Sequence, residues 1–215
     1  MFDKYTNNYK NYNNNFFGFW ARIYDLDKYF LFPFRRKSAQ FLGIKPPKKI
    51  LDVATGTGAL AFELAKLGHD VTGIDLSPEM LNQAIKKLSP KLKLQFQVAD
   101  GTKLPFKDES FDATTISWGI HDIPYEIGIK VLKEMKRVTK KNGEIMIVDY
   151  MNSKKHRLSK IAYFLISLYE SKNYKSFMAK KIESYVDEAK LKIIKETSYL
   201  GIWEFLLLKK FSGLV

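Results

Sequence analysis

The run Ile50-Leu51-Asp52-Val53-Ala54-Thr55-Gly56-Thr57-Gly58 puts a carboxylate, two hydroxyls and two glycines at the end of an apolar stretch. Glycines there permit positive φ and let backbone lie against a ligand. A helical pattern follows at Leu60, Ala61, Leu64, Ala65 and Leu67, and the first turn of a helix presents unpaired N–H groups. Strand, glycine turn and helix in that order build a nucleotide-binding corner. Two more carboxylates close later apolar runs: Asp75, 17 residues beyond Gly58, and Asp100, after Leu92–Val98. A carboxylate at the end of a second strand can accept from both hydroxyls of a ribose. Its competing use, as a helix cap, is one that Ser77 already fills. Asp100 precedes Gly101 and fits either a ligand contact or a turn. Gly56-x-Gly58-x-x-Ala61 also matches the dinucleotide fingerprint. Asp52 beside that loop would repel a pyrophosphate, whereas a cationic ligand tolerates it.

The elements that must position these residues alternate in type. Strands are expected at Ile50–Ala54, Val71–Asp75, Leu92–Val98, Phe111–Ser117 and Glu144–Asp149. Helices are expected at Leu60–Leu67, from Ser77-Pro78 to about Leu88, and at Ile127–Val138, the last stopped by Lys140-Lys141-Asn142-Gly143. Ser77 reads as an N-cap with Pro78 in the first turn. Two final strands, Leu191–Tyr199 and Ile202–Lys209, meet at Gly201. So short a connection demands an antiparallel hairpin. The whole reads as an α/β chain with helices on both faces of a mostly parallel sheet, binding ligand at the carboxyl ends of its strands.

Four segments follow from this pattern. Residues 1–47 are a low-complexity tail and an aromatic preamble, with one or two short helices over Phe16 to Phe34 and Pro46-Pro47 at its close. Residues 48–150 are the α/β core, 151–190 a lid or substrate segment, and 191–215 the closing hairpin. The stripe Ile161 to Tyr169 is apolar on nearly all faces. It suits a lid over the acceptor or a helix buried against the preamble.

At 215 residues and 46% hydrophobic, the chain is one domain, or one domain with a lid. No apolar run approaches the roughly 18–20 residues of a membrane span, and the N-terminus lacks a signal-peptide core, so a cytoplasmic protein is expected. With no cysteine, disulfides, thiolate metal sites and cysteine nucleophiles are excluded. His69, His121 and His156 lack metal-ligand spacing, so no metal is expected. The net charge of +13 fits an anionic partner such as a membrane surface or nucleic acid. The stronger reading is a compositional habit, because the excess is nearly all lysine in a chain rich in Asn, Ile, Tyr and Phe.

The chain resembles the class I S-adenosylmethionine (SAM)-dependent methyltransferases. Its first motif, Leu51 to Gly58, is similar to that of the ubiquinone/menaquinone-biosynthesis branch. Three other stretches agree: Gly73-Ile74-Asp75-Leu76-Ser77-Pro78-Glu79-Met80, Ala99-Asp100-Gly101-Thr102-Lys103-Leu104-Pro105-Phe106 with Phe111-Asp112, and Arg137-Val138-Thr139-Lys140-Lys141-Asn142-Gly143. Tyr24-Asp25 resembles a pair upstream of the first motif. The resemblance implies a Rossmann-like seven-stranded sheet with an antiparallel last strand, and SAM as cofactor with S-adenosylhomocysteine as product. It implies that Asp52, Ala54, Thr55, Gly56, Thr57 and Gly58 form the loop beside the methionine end. It places Asp75 on the ribose, Leu76 and Met80 around adenine (Met80 by itself reads more often as core), Asp100 with Gly101 at the adenine amine, and Ser117 along the methionine moiety.

Transfer from a sulfonium asks mainly for alignment and a dry pocket. The implied acceptor is a small molecule, lipid or quinone-like ring, methylated by in-line displacement. RNA or protein methylation and non-catalytic SAM binding are the alternatives. Nucleic acid ranks lower: Ser117-Trp118-Gly119-Ile120 stands where amino-methylating enzymes of this fold often place an Asn/Asp-Pro-Pro-aromatic tetrad. The quinone enzymes usually carry an arginine-asparagine pair at the position of His121-Asp122. His121 there is a candidate base near neutral pH or an exposed or capping residue, and Tyr24 is the second catalytic candidate.

Overall fold

A computed structural model describes residues 28–151, 163, 166–167 and 171–211. Tyr24 and most of the Ile161–Tyr169 stripe lie outside these residues. The elements run α1 (Lys28–Leu42), β1 (Lys49–Val53), α2 (Ala59–Lys66), β2 (Asp70–Asp75), α3 (Pro78–Ile85), β3 (Leu94–Val98), β4 (Phe111–Ser117), a 3₁₀ turn (Ile120–Asp122), α4 (Tyr125–Val138), β5 (Thr139–Tyr150), α5 (Tyr174–Ala179), α6 (Ile182–Glu188), β6 (Leu191–Tyr199) and β7 (Trp203–Lys210).

The seven strands form one sheet in the order β3-β2-β1-β4-β5-β7-β6. β1 to β5 pair in parallel, while β7 pairs antiparallel with both β5 and β6. The last strand is therefore the reversed one, inserted between β5 and β6. Strand order reverses between β1 and β4, which opens a crevice at their carboxyl ends.

Burial on both faces explains the near-continuous apolar strands. Leu51 and Val53 of β1, with Ile145 and Ile147 of β5, pack toward α4, α5 and α6. Ile50, Met146 and Val148 pack toward Ala39 and Leu42 of α1 and Leu60, Ala61 and Leu64 of α2. α1 continues to Leu42, past the expected stop at Phe34, because Ala39 and Leu42 enter that second core. β3 lies at the sheet edge and stays half exposed, which its polar–apolar alternation anticipates.

Two boundaries differ from expectation. α3 ends at Ile85, not near Leu88. β5 starts at Thr139, ahead of the expected Glu144, with Lys140–Gly143 inside its span but outside the pairing with β4. The surplus residues are absorbed as a bulge, with Phe111 opposite Thr139 and Ala113 already opposite Glu144. Lys140 is held there by Asp112 at 2.8 Å.

Candidate functional site

The β1 loop is built by unusual backbone conformations. Ala54, Gly56 and Gly58 all have positive φ, at 52°, 55° and 83°. Trp118, at the end of β4, does too, at 47°. Non-glycine residues in this region store strain and concentrate at functional sites. The two tips touch, since a Cβ on Gly119 would lie 3.1 Å from Ala54 Cβ.

The two motif glycines do different work. A Cβ on Gly56 would meet nothing within 4 Å, whereas one on Gly58 would lie 2.6 Å from Phe96. Gly56 thus faces open space. Gly58 makes room for a β3 aromatic, and its N–H is spent on Thr55 O at 2.8 Å. Thr55 N–H donates to Ile74 O at 2.9 Å, which binds the loop to β2. Thr57 is buried.

Asp52 is buried beneath the loop. Its two oxygens accept from Thr55 Oγ1 and Thr115 Oγ1, each at 2.6 Å. Burial pushes its carboxyl up to about 6, against the two hydroxyl bonds and with Asp75 adding to the rise. Asp52 is the brace of the loop, not its lining; Thr115, which the sequence reading missed, is its second anchor.

Asp75 closes the corner. Its Oδ2 accepts from Gly56 N–H at 2.8 Å and its Oδ1 from Ser77 N–H at 2.9 Å. Burial raises its pKa against these bonds. Ser77 caps α3 through Oγ, which accepts from Met80 N–H at 3.2 Å. The Leu76 backbone N–H bonds this carboxylate as well; with about four lone-pair sites on a carboxylate, capacity remains for a ligand hydroxyl. Leu76 is partly exposed beside it. Met80 is 2% exposed, which puts its side chain in the interior and not on a ligand.

At the third strand end Asp100 Oδ1 accepts from Thr102 N–H and Oγ1 at 2.8 and 2.7 Å, a turn contact. A Cβ on Gly101 would crowd Val131 and Val53 at 3.3 Å, so this glycine serves packing. Arg137 of α4 orders the stretch that follows. It donates to Leu104 O, Phe106 O and Asp108 at 3.1, 2.9 and 2.6 Å, and Glu134 beside it accepts Leu104 N–H at 2.8 Å.

After β4, Ser117 stands half-buried at the strand end and His121 is 3% exposed. The exposed reading of His121 therefore fails. Nδ1 meets Asp149 Oδ1 at 2.7 Å and Nε2 meets Asp122 Oδ2 at 3.3 Å. Burial alone would lower its pKa, but the charges and hydrogen bonds of Asp122 and Asp149 outweigh it and hold the imidazole well above 6.5. A base near neutral pH needs a free, neutral ring nitrogen, and this geometry withholds one. Among the described residues no group of three or more His, Asp or Glu could hold a metal ion.

Residues 171–190, expected as part of a lid, are packed structure where described. Tyr174, Phe177, Tyr185 and Val186 are buried against the same core as α4, and Asn173 Nδ2 donates to Asp122 O at 2.7 Å.

Sheet order and crevice together define a class I methyltransferase architecture. A SAM-dependent methyltransferase from Aquifex aeolicus has it, with a TM-score of 0.63 and 19% identity over 81% of this chain and 88% of that one. So does magnesium protoporphyrin IX methyltransferase from Synechocystis with bound S-adenosylhomocysteine (TM-score 0.61, 16% identity, 82% and 83%). Residues 2–191 match the model of the ubiE/COQ5 methyltransferase family, and the chain belongs to it. It is 41% identical over 119 residues to ubiquinone/menaquinone biosynthesis C-methyltransferase UbiE of Bdellovibrio bacteriovorus, covering 54% of this chain and 50% of the relative. Demethylmenaquinone methyltransferase of Beutenbergia cavernae is 38% identical over 116 residues, with coverage of 54% and 46%. The chain spans about half the length of the curated relatives it matches.

Proposed function

We propose that the chain binds SAM in the β1–β2–β4 crevice and transfers its methyl group to a small hydroxylated ring of the quinone type, the class for which its relatives are named. The observation that carries this reading is the corner at Asp75. Its carboxylate joins the loop at Gly56 to the cap at Ser77 and keeps lone pairs for a ribose, while Gly56 leaves open space for the methionine end. The donor set suits a cationic nucleoside better than a dinucleotide: Asp75 offers a ribose acceptor, and the carboxylate of Asp52 beneath the loop favours positive charge above it over a pyrophosphate.

SAM held at Gly56 and Asp75 would supply an electrophilic methyl group to the acceptor carbon, with the carbon–sulfur electron pair retained on sulfur in S-adenosylhomocysteine. The acceptor then loses a proton. The chain supplies alignment and exclusion of water. The test is labelled SAM with a naphthohydroquinone, beside RNA and bulk protein. Label in the hydroquinone supports the reading; label only in RNA or protein overturns it.

Contact with an anionic membrane belongs to the same reading. Leu200, 67% exposed with φ 55°, sits on the hairpin tip at the carboxyl end of the sheet, and the chain carries +13. Basic residues near a surface attract acidic headgroups at about 1 kcal/mol each. Sedimentation with anionic but not neutral liposomes is expected; equal partition to both contradicts it. Among the described residues no helix is long and apolar enough to cross a membrane.

A further inference from the structure

One buried carboxylate joins β5 to the 3₁₀ turn beside the crevice. Asp149, 3% exposed near the end of β5, accepts from Ile120 N–H and His121 N–H at 3.0 and 3.2 Å, and from Tyr150 N–H at 2.7 Å. It also meets His121 Nδ1 at 2.7 Å. The far side of the ring faces Asp122, whose carbonyl is held by Asn173 just before α5. The ring is walled edge-on by Tyr150 at 4.8 Å and Tyr174 at 6.0 Å, with Phe177 at 6.3 Å. Tyr185 of α6 and Glu204 of β7, which pairs with Asp149, complete the ionisable surroundings. Gly119, immediately before this turn, lies against Ala54 of the cofactor loop.

We propose that His121 is a positioning residue, a buried cation clamped between Asp149 and Asp122 that fixes the turn after β4 against the cofactor loop and ties it to α5, and that it takes no proton from the acceptor. Two carboxylates around one imidazole leave the ring no acceptor nitrogen. Apolar residues would fill this space at least as stably as a buried charge cluster. The cluster supplies directed bonds to the turn that an apolar core cannot.

The ring-nitrogen NMR signals of His121 in the full chain test the charge directly; His69 and His156 are the only other histidines to separate from it. An imidazolium signature at both nitrogens from about pH 5.5 to about 8 is expected. A neutral ring appearing near the ordinary value of about 6.5 overturns the proposal. Glu204, pushed up to about 7 by burial and the carboxylates around it, is removed in Glu204→Gln, and the signature should survive there.

The kinetic arm rests on the function proposed above. His121→Gln should lower transfer from labelled SAM to a naphthohydroquinone about 10- to 100-fold, the range for a displaced reacting geometry. The factor should be equal at about pH 6 and about pH 8, with SAM affinity held within about threefold. A loss that grows with pH overturns the clamp in favour of a base. Absence of wild-type turnover would count against the acceptor class alone, and the NMR arm would still decide the clamp.

Discussion

Asp75 makes the sharpest residue-level forecast. Asp75→Ala removes the ribose acceptor and also frees Gly56 N–H and Ser77 N–H. SAM binding should weaken by about 1.5–3 kcal/mol, the range for hydrogen bonds to a charged group, as calorimetry would show; an unchanged affinity would remove Asp75 from the site. The two glycines should separate by readout. Gly56→Val puts a branched side chain into open space at φ 55°, so it should abolish SAM binding while the protein still folds. Gly58→Val drives into Phe96 and should show as a lowered melting temperature. Asp52 sets a pH dependence. Its folded pKa of about 6 lies above the ordinary 3.8, so folding takes up a proton between these values. Its contribution to stability is full below about 3.8 and lost as pH rises through about 6. A cationic ligand favours the ionised carboxylate, so SAM affinity should rise from about pH 5 to about pH 7 with proton release. Proton uptake in buffers of differing ionisation enthalpy would contradict this. Asp75 was legible because strand, turn and cap signals are local. The burial of His121 was not: Asp149, 28 residues away, and Tyr174 create it, and no spacing rule brings them together.

Among the elements, the Arg137 brace carries its own forecast. Arg137→Ala should destabilise the fold by about 1.5–3 kcal/mol, at the lower end because its side chain is 31% exposed and solvent screens the ion pairs. SAM affinity should stay unchanged, since the brace holds the 104–108 stretch and not the loop at Gly56. A loss of SAM affinity as large as the loss of stability would place the brace in the site. The motif Arg137 to Gly143 was readable as a unit, but its work was not, because the carbonyls of Leu104 and Phe106 reach it only through the β3–β4 connection. The strands of the parallel core were read to within two residues at most ends because both faces are apolar. β5 was the exception: it begins at Thr139, and Lys140–Gly143 bulges out of the pairing with β4, anchored by the Lys140–Asp112 contact. The packed stretch from Tyr174 to Val186 was read as lid because its basic, aromatic composition breaks the alternation. Its partners, Tyr150 and the 3₁₀ turn, lie far away in sequence.

For the molecule as a whole, sheet order carries the argument. The hairpin that forces β7 antiparallel was implied by its short connection, whereas the crossover between β1 and β4 emerges only in the sheet order; together they bring the carboxyl ends that carry Asp52, Asp75 and Asp149 to one side of the sheet. The charge of +13 does not name the ligand, because lysines spread over a surface attract RNA phosphates as well as lipid headgroups. The ligand is decided at the crevice. Calorimetry of the purified chain against SAM and against NAD is the most direct measurement of that. Saturable SAM binding that is lost in Gly56→Val, with NAD weaker by at least about tenfold, or about 1.4 kcal/mol, is the predicted result. NAD binding tighter than SAM would contradict the assignment of the crevice to a methyl donor.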